Sequence, residues 1–235
     1  MKSFFKLGLT AIAITLFFNA FTVIETKAQG NNPLNEILKR METNRQSLTS
    51  LRTGVKMVKY NSQLKTTDKS DINEGTAIYL PAKGRDAFIR IDWTNPEEIL
   101  AVANGQYVVY RKRLNQAIIG KVKDAKGSGK ANNAFAFLNM SKEQLKNNYS
   151  VKYLGQESVV GNIQTWHLEM TPKSASSYKS AEMWVDGNGM PIQIKITESN
   201  NDTNTLYLSN IQKNATINAS NFKVDLPKTV KRVDG

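Results

Sequence analysis

The stretch RIDWTNPEEILAVANGQYVVY, residues 90–110, decides the fold. It reads as strands separated by tight turns. Thr94-Asn95-Pro96-Glu97 is one turn, and Asn104-Gly105 is a strong two-residue hairpin signal, because such turns need positive φ at both central positions. Pairing across Asn104-Gly105 sets Val102 opposite Tyr107 and Leu100 opposite Val109. Carried back through the Pro96 turn with Trp93 opposite Glu98, it sets Ile91 against Leu100 and Ile89 against Val102. One face then holds Ile89, Ile91, Trp93, Leu100, Val102, Tyr107 and Val109. The other holds Ile99, Ala101, Val108 and Tyr110, with Arg90 and Asp92. A slip of one residue would exchange the two faces. Antiparallel sheets commonly bury one face and wet the other. Here both are apolar, so something besides these strands must cover the second.

Working outward, strand-like segments recur at short, regular spacing. They are Thr53–Leu64, Gly75–Leu80, Ala87–Trp93, Glu98–Ala103, Gln106–Arg111 and Gln116–Val122, then Ser150–Gln156, Ile163–Met170, Ser180–Val185, Pro191–Glu198 and Thr203–Ile211. Phe222–Pro227 looks like a last short strand, and Lys228–Gly235 like a frayed basic tail. About eleven antiparallel strands with few helices make a mainly β class with a barrel-like sheet.

Two helical segments punctuate this pattern. Pro33 to Leu48 has proline at a favoured first position after Asn32, and Leu34, Ile37, Leu38, Met41 and Leu48 form one apolar stripe. Midway, Lys123–Asn133 (KDAKGSGKANN) reads as a mobile basic loop. Its GSGK is not a phosphate-binding loop, since Asp124 stands where the first glycine belongs and Ala131 where Ser or Thr belongs. Ala134–Leu138 is a short apolar segment, and Ser141-Lys142-Glu143-Gln144 is a capping box opening a second helix that ends near Asn148. Phe135, Phe137, Leu138, Met140 and Leu145 give this insertion enough apolar surface to act as a lid.

Residues 1–28 have the layout of a secretory signal peptide: a basic start at Lys2 and Lys6, an apolar run from Leu7 to Ile24, and small residues at Thr26 and Ala28. An uncleaved membrane anchor is the rival, because the run is near spanning length. The remaining chain, 29–235, is expected to be one domain. The chain carries a formal net charge of +12; Lys2, Lys6, Lys27 and Glu25 belong to the leader, so residues 29–235 keep +10. In an exported protein that excess points away from nucleic acid and toward anionic head groups, wall polymers or an acidic partner, or serves solubility alone. There is no cysteine, which excludes disulfides, thiol catalysis, thiolate metal sites and acylation at a lipobox. His167 is the lone histidine, in a strand where a satisfied or solvent-facing ring is the ordinary reading. The acidic residues are scattered at turns, and Asp186-Gly187-Asn188-Gly189 lacks the later ligands of a calcium loop and reads as a hairpin turn. No enzyme activity, metal or cofactor is expected.

From pattern alone, the face carrying Ile89 and Trp93 is either packed core or the wall of a pocket under a lid. A family resemblance bears on the choice. Arg85–Pro96, then Glu98–Gly105, then Tyr107–Tyr110 with Leu114-Asn115-Gln116, resemble the LolA-type outer-membrane lipoprotein carrier family. Leu168–Lys173, Asn210-Ile211 and Phe222–Pro227 resemble its later strand ends. The resemblance implies an eleven-strand half-barrel with helices on its concave side, around a hydrophobic cavity that shields acyl chains in the periplasm. On that basis Ile89, Ile91, Trp93, Leu100, Val102, Tyr107 and Val109 are the expected acyl-chain cavity, Phe135, Phe137 and Leu138 the lid, and Arg85 the lid latch. Arg111, Lys112 and Arg113 are the expected contact for a partner or for head groups. Implied partners are acylated lipoproteins, an inner-membrane release complex, an outer-membrane acceptor and, transiently, the membrane surface; the protein would be a monomer. The rival functions are a lipid-sensing or glycan-binding envelope module of the same fold.

Overall fold

The computed structural model describes residues 33–68, 71–81, 87–122 and 130–235, with side chains from 135 in the last stretch. The expected leader and Arg85 lie outside the described residues, as does most of the loop read at 123–133.

Helix α1 (Pro33–Ser47) buries the stripe Ile37, Leu38 and Met41, and Leu48 follows it into the core. Among the described residues twelve strands then form one open sheet: β1 (Leu51–Tyr60), β2 (Ile72–Leu80), β3 (Phe88–Thr94), β4 (Glu97–Ala103), β5 (Gln106–Arg111), β6 (Gln116–Lys121), β7 (Tyr149–Val159), β8 (Ile163–Pro172), β9 (Tyr178–Asp186), β10 (Pro191–Glu198), β11 (Thr203–Lys213) and β12 (Lys231–Asp234). Their spatial order is β12-β6-β5-β4-β3-β2-β1-β11-β10-β9-β8-β7. Neighbours are antiparallel except β12, which runs parallel to β6. Helices α2 (Lys130–Asn139) and α3 (Lys142–Asn148) fall between β6 and β7.

The register read from residues 90–110 is the one observed. Ile89 pairs with Val102, Ile91 with Leu100 and Trp93 with Glu98; Leu100 pairs with Val109 and Val102 with Tyr107. Asn104 and Gly105 both take positive φ, 52° and 73°, as that turn requires. The capping box at Ser141 is also present, with the Ser141 hydroxyl accepting from the Gln144 amide and the Gln144 side chain accepting from the Ser141 amide.

The eleven strands expected are β1–β11, and β12 is a twelfth among the described residues. Three other expectations are corrected. Phe222–Pro227 is not a strand: Ala219–Phe222 is a short 3-10 turn, and 223–227 joins no ladder. The frayed tail is instead the strand β12. The reason is where backbone groups find partners. The Asn221 and Lys223 carbonyls accept from the Arg90 guanidinium, at 3.0 and 2.9 Å, above the outer face of the sheet. Residues 231–234 lie along the otherwise open edge of β6 and pair there. Likewise α2 begins at Lys130, inside the segment read as loop.

The segment 219–225 answers the question of the second face. Phe222 is buried at 2% exposure and its ring lies 5.6 Å from that of Phe88. Beside it a groove of about 490 Å³ is bounded by Phe88, Ala101, Val108, Phe222 and Val224. So α1, α2 and α3 cover one face, and a strap at 219–225 covers part of the other.

Candidate functional site

The helix side of the sheet is the larger apolar region. The seven residues expected to line the cavity are all buried there, between 0% and 7% exposed. They alternate in β3, β4 and β5 with Arg90, Asp92, Ile99 and Val108 of the outer face, as period two dictates. Phe135, Phe137 and Leu138 of α2, at 1%, 2% and 4%, belong to the same continuous cluster. The backbone of α2 comes nearest β10 and β11. Its rings reach outward from there: Phe135 stacks on Tyr79 of β2 at 6.5 Å, and Phe137 lies 5.7 Å from Tyr149 of β7. The expected cavity residues and the expected lid thus share one core, with α2 lying over the middle of the sheet.

Among the polar contacts that tie this helical cover to the body, two stand out. The Tyr79 hydroxyl donates to Oδ1 of Asn139, at the end of α2, over 3.3 Å. Burial pushes the Tyr79 phenol above its ordinary range, so it stays a neutral donor. The second contact joins α1 to the start of α3: Oε2 of Glu42 accepts the backbone N–H of Lys142 at 3.1 Å. Hydrogen bonding to Arg45 is the chief cause holding the Glu42 carboxyl down at about 2; burial opposes it, and the Lys142 amide and Gln46 assist. Neither residue was signalled by the sequence. Glu42 had only Arg45 three positions on, which reads as an ordinary helix-surface pair.

Helix α1 is fixed to the β9–β10 turn. Arg40 donates from Nη1 to the Gly187 carbonyl at 3.0 Å and lies over the Trp166 ring at 5.2 Å. The turn itself is closed by Asp186, whose carboxylate accepts the amides of Asn188 and Met190.

Of the expected surface cations, Arg111 pairs with Glu98 at 3.1 Å and Lys112 with Glu97 at 2.7 Å, while Arg113 is exposed. His167 lies on the outer face. Nε2 meets Glu182 at 2.9 Å, Nδ1 meets Glu157 at 3.1 Å, and the ring stacks on Trp184 at 4.2 Å. Trp184 donates to the same Glu157 carboxylate and Lys195 to Glu182. Every polar atom of the histidine is engaged, which is the arrangement of a structural ring. Among the described residues no cluster of three metal-ligating side chains occurs.

Residues 84–225 match the family described as outer membrane lipoprotein carrier protein LolA. An outer-membrane lipoprotein carrier protein of Pectobacterium carotovorum is 30% identical over 139 residues, which span 58% of this chain and 61% of that protein. Among solved structures, an uncharacterized conserved protein from Thermus thermophilus superposes with a TM-score of 0.54 at 13% identity, covering 86% of this chain and 99% of that one. The MucA/MucB complex of Pseudomonas aeruginosa gives 0.48 at 12% identity, covering 82% of this chain and 61% of the other.

Proposed function

This chain belongs to the outer membrane lipoprotein carrier protein LolA family, and from that premise we propose that it is a periplasmic carrier of lipoprotein acyl chains. It would take lipoproteins from an inner-membrane release complex and deliver them to an outer-membrane acceptor. The observation that carries this reading is the buried apolar wall of β3, β4 and β5 in one cluster with the α2 side chains Phe135, Phe137 and Leu138. Each methylene removed from water is worth about 0.8 kcal/mol. A diacylated or triacylated protein therefore needs an apolar host to cross an aqueous space.

Release needs the opposite property. If α2 covers the wall with its own phenylalanines, acyl chains exchange one apolar surface for another. Binding and release then differ little in free energy, and transfer can run either way along a gradient of acceptor affinity. Polar contacts such as Tyr79 with Asn139 and Glu42 with Lys142 set how readily the cover lifts. Arg85, assigned as a latch by the family pattern, would add to them. The mechanism uses binding and conformational opening, with no group acting as acid, base or nucleophile.

Native mass spectrometry of the protein recovered from the envelope of expressing cells tests this. Copurifying acylated protein or lipid is the expected result, together with uptake of a fluorescent fatty-acyl probe that Leu100→Asp abolishes. A ligand-free protein that ignores the probe would overturn the reading.

A further inference from the structure

The connection between β5 and β6 has a feature that the acyl wall does not explain. Lys112–Leu114 is a 3-10 turn, stopped by Asn115 in the left-handed region with φ of 45°. Leu114 stands at this turn with 63% of its surface exposed, on a protein that buries most of its large apolar side chains. The chain tail is docked beside it. Asn115 donates from Nδ2 to the Thr229 carbonyl at 3.0 Å, and its own carbonyl accepts the Lys231 amide at 2.9 Å. That sets the tail at Thr229 and Lys231 against Asn115, so a segment carrying exposed Lys228, Lys231 and Arg232 runs beside the turn that holds exposed Arg113 and Leu114.

The local charge is one-sided. Glu97 and Glu98 of β4 face Lys112 and Arg111 and neutralise them. Among the described residues no carboxylate pairs with Arg113, Lys228, Lys231 or Arg232. Asp234 lies at the other end of β12, opposite Ile119. A lone exposed leucine is ordinary on a protein surface. One in a turn with Arg113, beside a tail segment that carries three more cations with no carboxylate paired to them among the described residues, has the composition of an interfacial anchor, in which a small apolar insertion and electrostatic attraction act together.

We propose that this turn and the docked tail form a docking tip for an anionic lipid surface, with Leu114 entering the head-group boundary and the four cations contacting lipid phosphates. The proposal narrows the expected head-group contact at Arg111–Arg113 to its last residue, and it does not depend on the acyl wall. It assigns Arg111 and Lys112 to β4 instead, and gives the membrane contact to Arg113, Leu114 and the tail. The tip also accounts for the pairing of β12, a short strand with mostly exposed side chains whose ladder serves to hold cations beside Leu114.

Co-sedimentation of the full-length chain with vesicles of phosphatidylcholine, alone or mixed with phosphatidylglycerol, tests it. Binding should need the anionic lipid, and Leu114→Ser should weaken it about tenfold, the scale of one leucine leaving an apolar environment. Lys231→Glu with Arg232→Glu should weaken it more and reduce its salt dependence. A charge-reversed control at Lys39 and Lys121 should lose far less. Equal losses in the control pair, an unchanged Leu114→Ser, or equal binding to neutral vesicles would each overturn the proposal. Acyl-probe uptake measured on the same variants should stay at the wild-type level. Vesicle binding without probe uptake would leave the tip standing and remove the carrier reading; the reverse would remove the tip alone.

Discussion

The carboxylate of Glu42 on α1 accepts the backbone amide of Lys142 at the first turn of α3, across 100 residues of sequence. Through it α1, which is anchored to the β9–β10 turn by Arg40, also holds the α2–α3 cover. Glu42→Gln keeps an acceptor but removes the charge that strengthens the bond. It should cost about 1.5–3 kcal/mol, the range for hydrogen bonds to charged groups. Amide exchange in α2 and α3 should speed up more than in the central strands. The folded carboxyl titrates near 2, below its ordinary 4.5. Its stabilisation is therefore complete above about pH 4.5 and is lost as pH falls toward 2. Urea titrations between those values should show wild type losing stability that Glu42→Gln never had. Parallel curves would refute the role.

Tyr79 tests another tie. Tyr79→Phe keeps the stack on Phe135 and removes only the bond to Asn139. The expected cost is about 0.5–1.5 kcal/mol. If this bond restrains the cover, stopped-flow uptake of an acyl probe should quicken while equilibrium affinity changes little.

Ile91 is fully buried in the middle of β3. Ile91→Ala should destabilise by about 2–5 kcal/mol if its surroundings are close-packed. A much smaller loss, with probe binding retained, would mean that the wall already borders free space. Denaturant midpoints of the two proteins decide between these outcomes.

Gly189 and Gly187 sit two residues apart in one turn and should respond in opposite ways. Gly189 has φ of +82°, and a methyl group there would run into the backbone of Arg40 and Met41. Gly187 has open space around it. Gly189→Ala should therefore cost well over about 1 kcal/mol, and Gly187→Ala should stay within about 0.5 kcal/mol of neutral. Equal effects would show that α1 does not press on this turn.

Phe222 holds the strap on the outer face. Phe222→Ala should cost about 3–5 kcal/mol, as for other large buried aromatics, and should expose Phe88 and Ala101. Raised fluorescence of a hydrophobic dye under native conditions, with acyl-probe affinity unchanged, would separate this face from the helix side.

The register of β3, β4 and β5 was legible because it is set locally. A turn that demands positive φ at Asn104 and Gly105 fixes which residues oppose each other, and alternation does the rest. The capping box at Ser141 was legible for the same reason. β12 was not: Lys231-Arg232-Val233-Asp234 has no apolar pattern, and it pairs through backbone groups that any sequence carries. Phe222–Pro227 misled in the other direction, since its alternation also suits a segment lying across a sheet with one side down. The seven buried residues of β3, β4 and β5 were placed on one face by the same alternation that found the strands. Glu42, Tyr79 and Asn139 were missed, because a glutamate paired along a helix and a tyrosine in a strand look alike whether or not they also meet a distant helix.

The sequence by itself determined the mainly β class, the pairing of residues 89–109, the two-faced apolar character of that region and the family pattern. All of these rest on interactions between near neighbours or on the period of a strand. Only the tertiary structure decided what lies on each face: three helices against one, the 219–225 strap against the other, and a basic tail beside Leu114. Those placements join segments about a hundred residues apart. They follow from burying apolar surface and satisfying backbone groups over the whole chain, which no local stretch encodes.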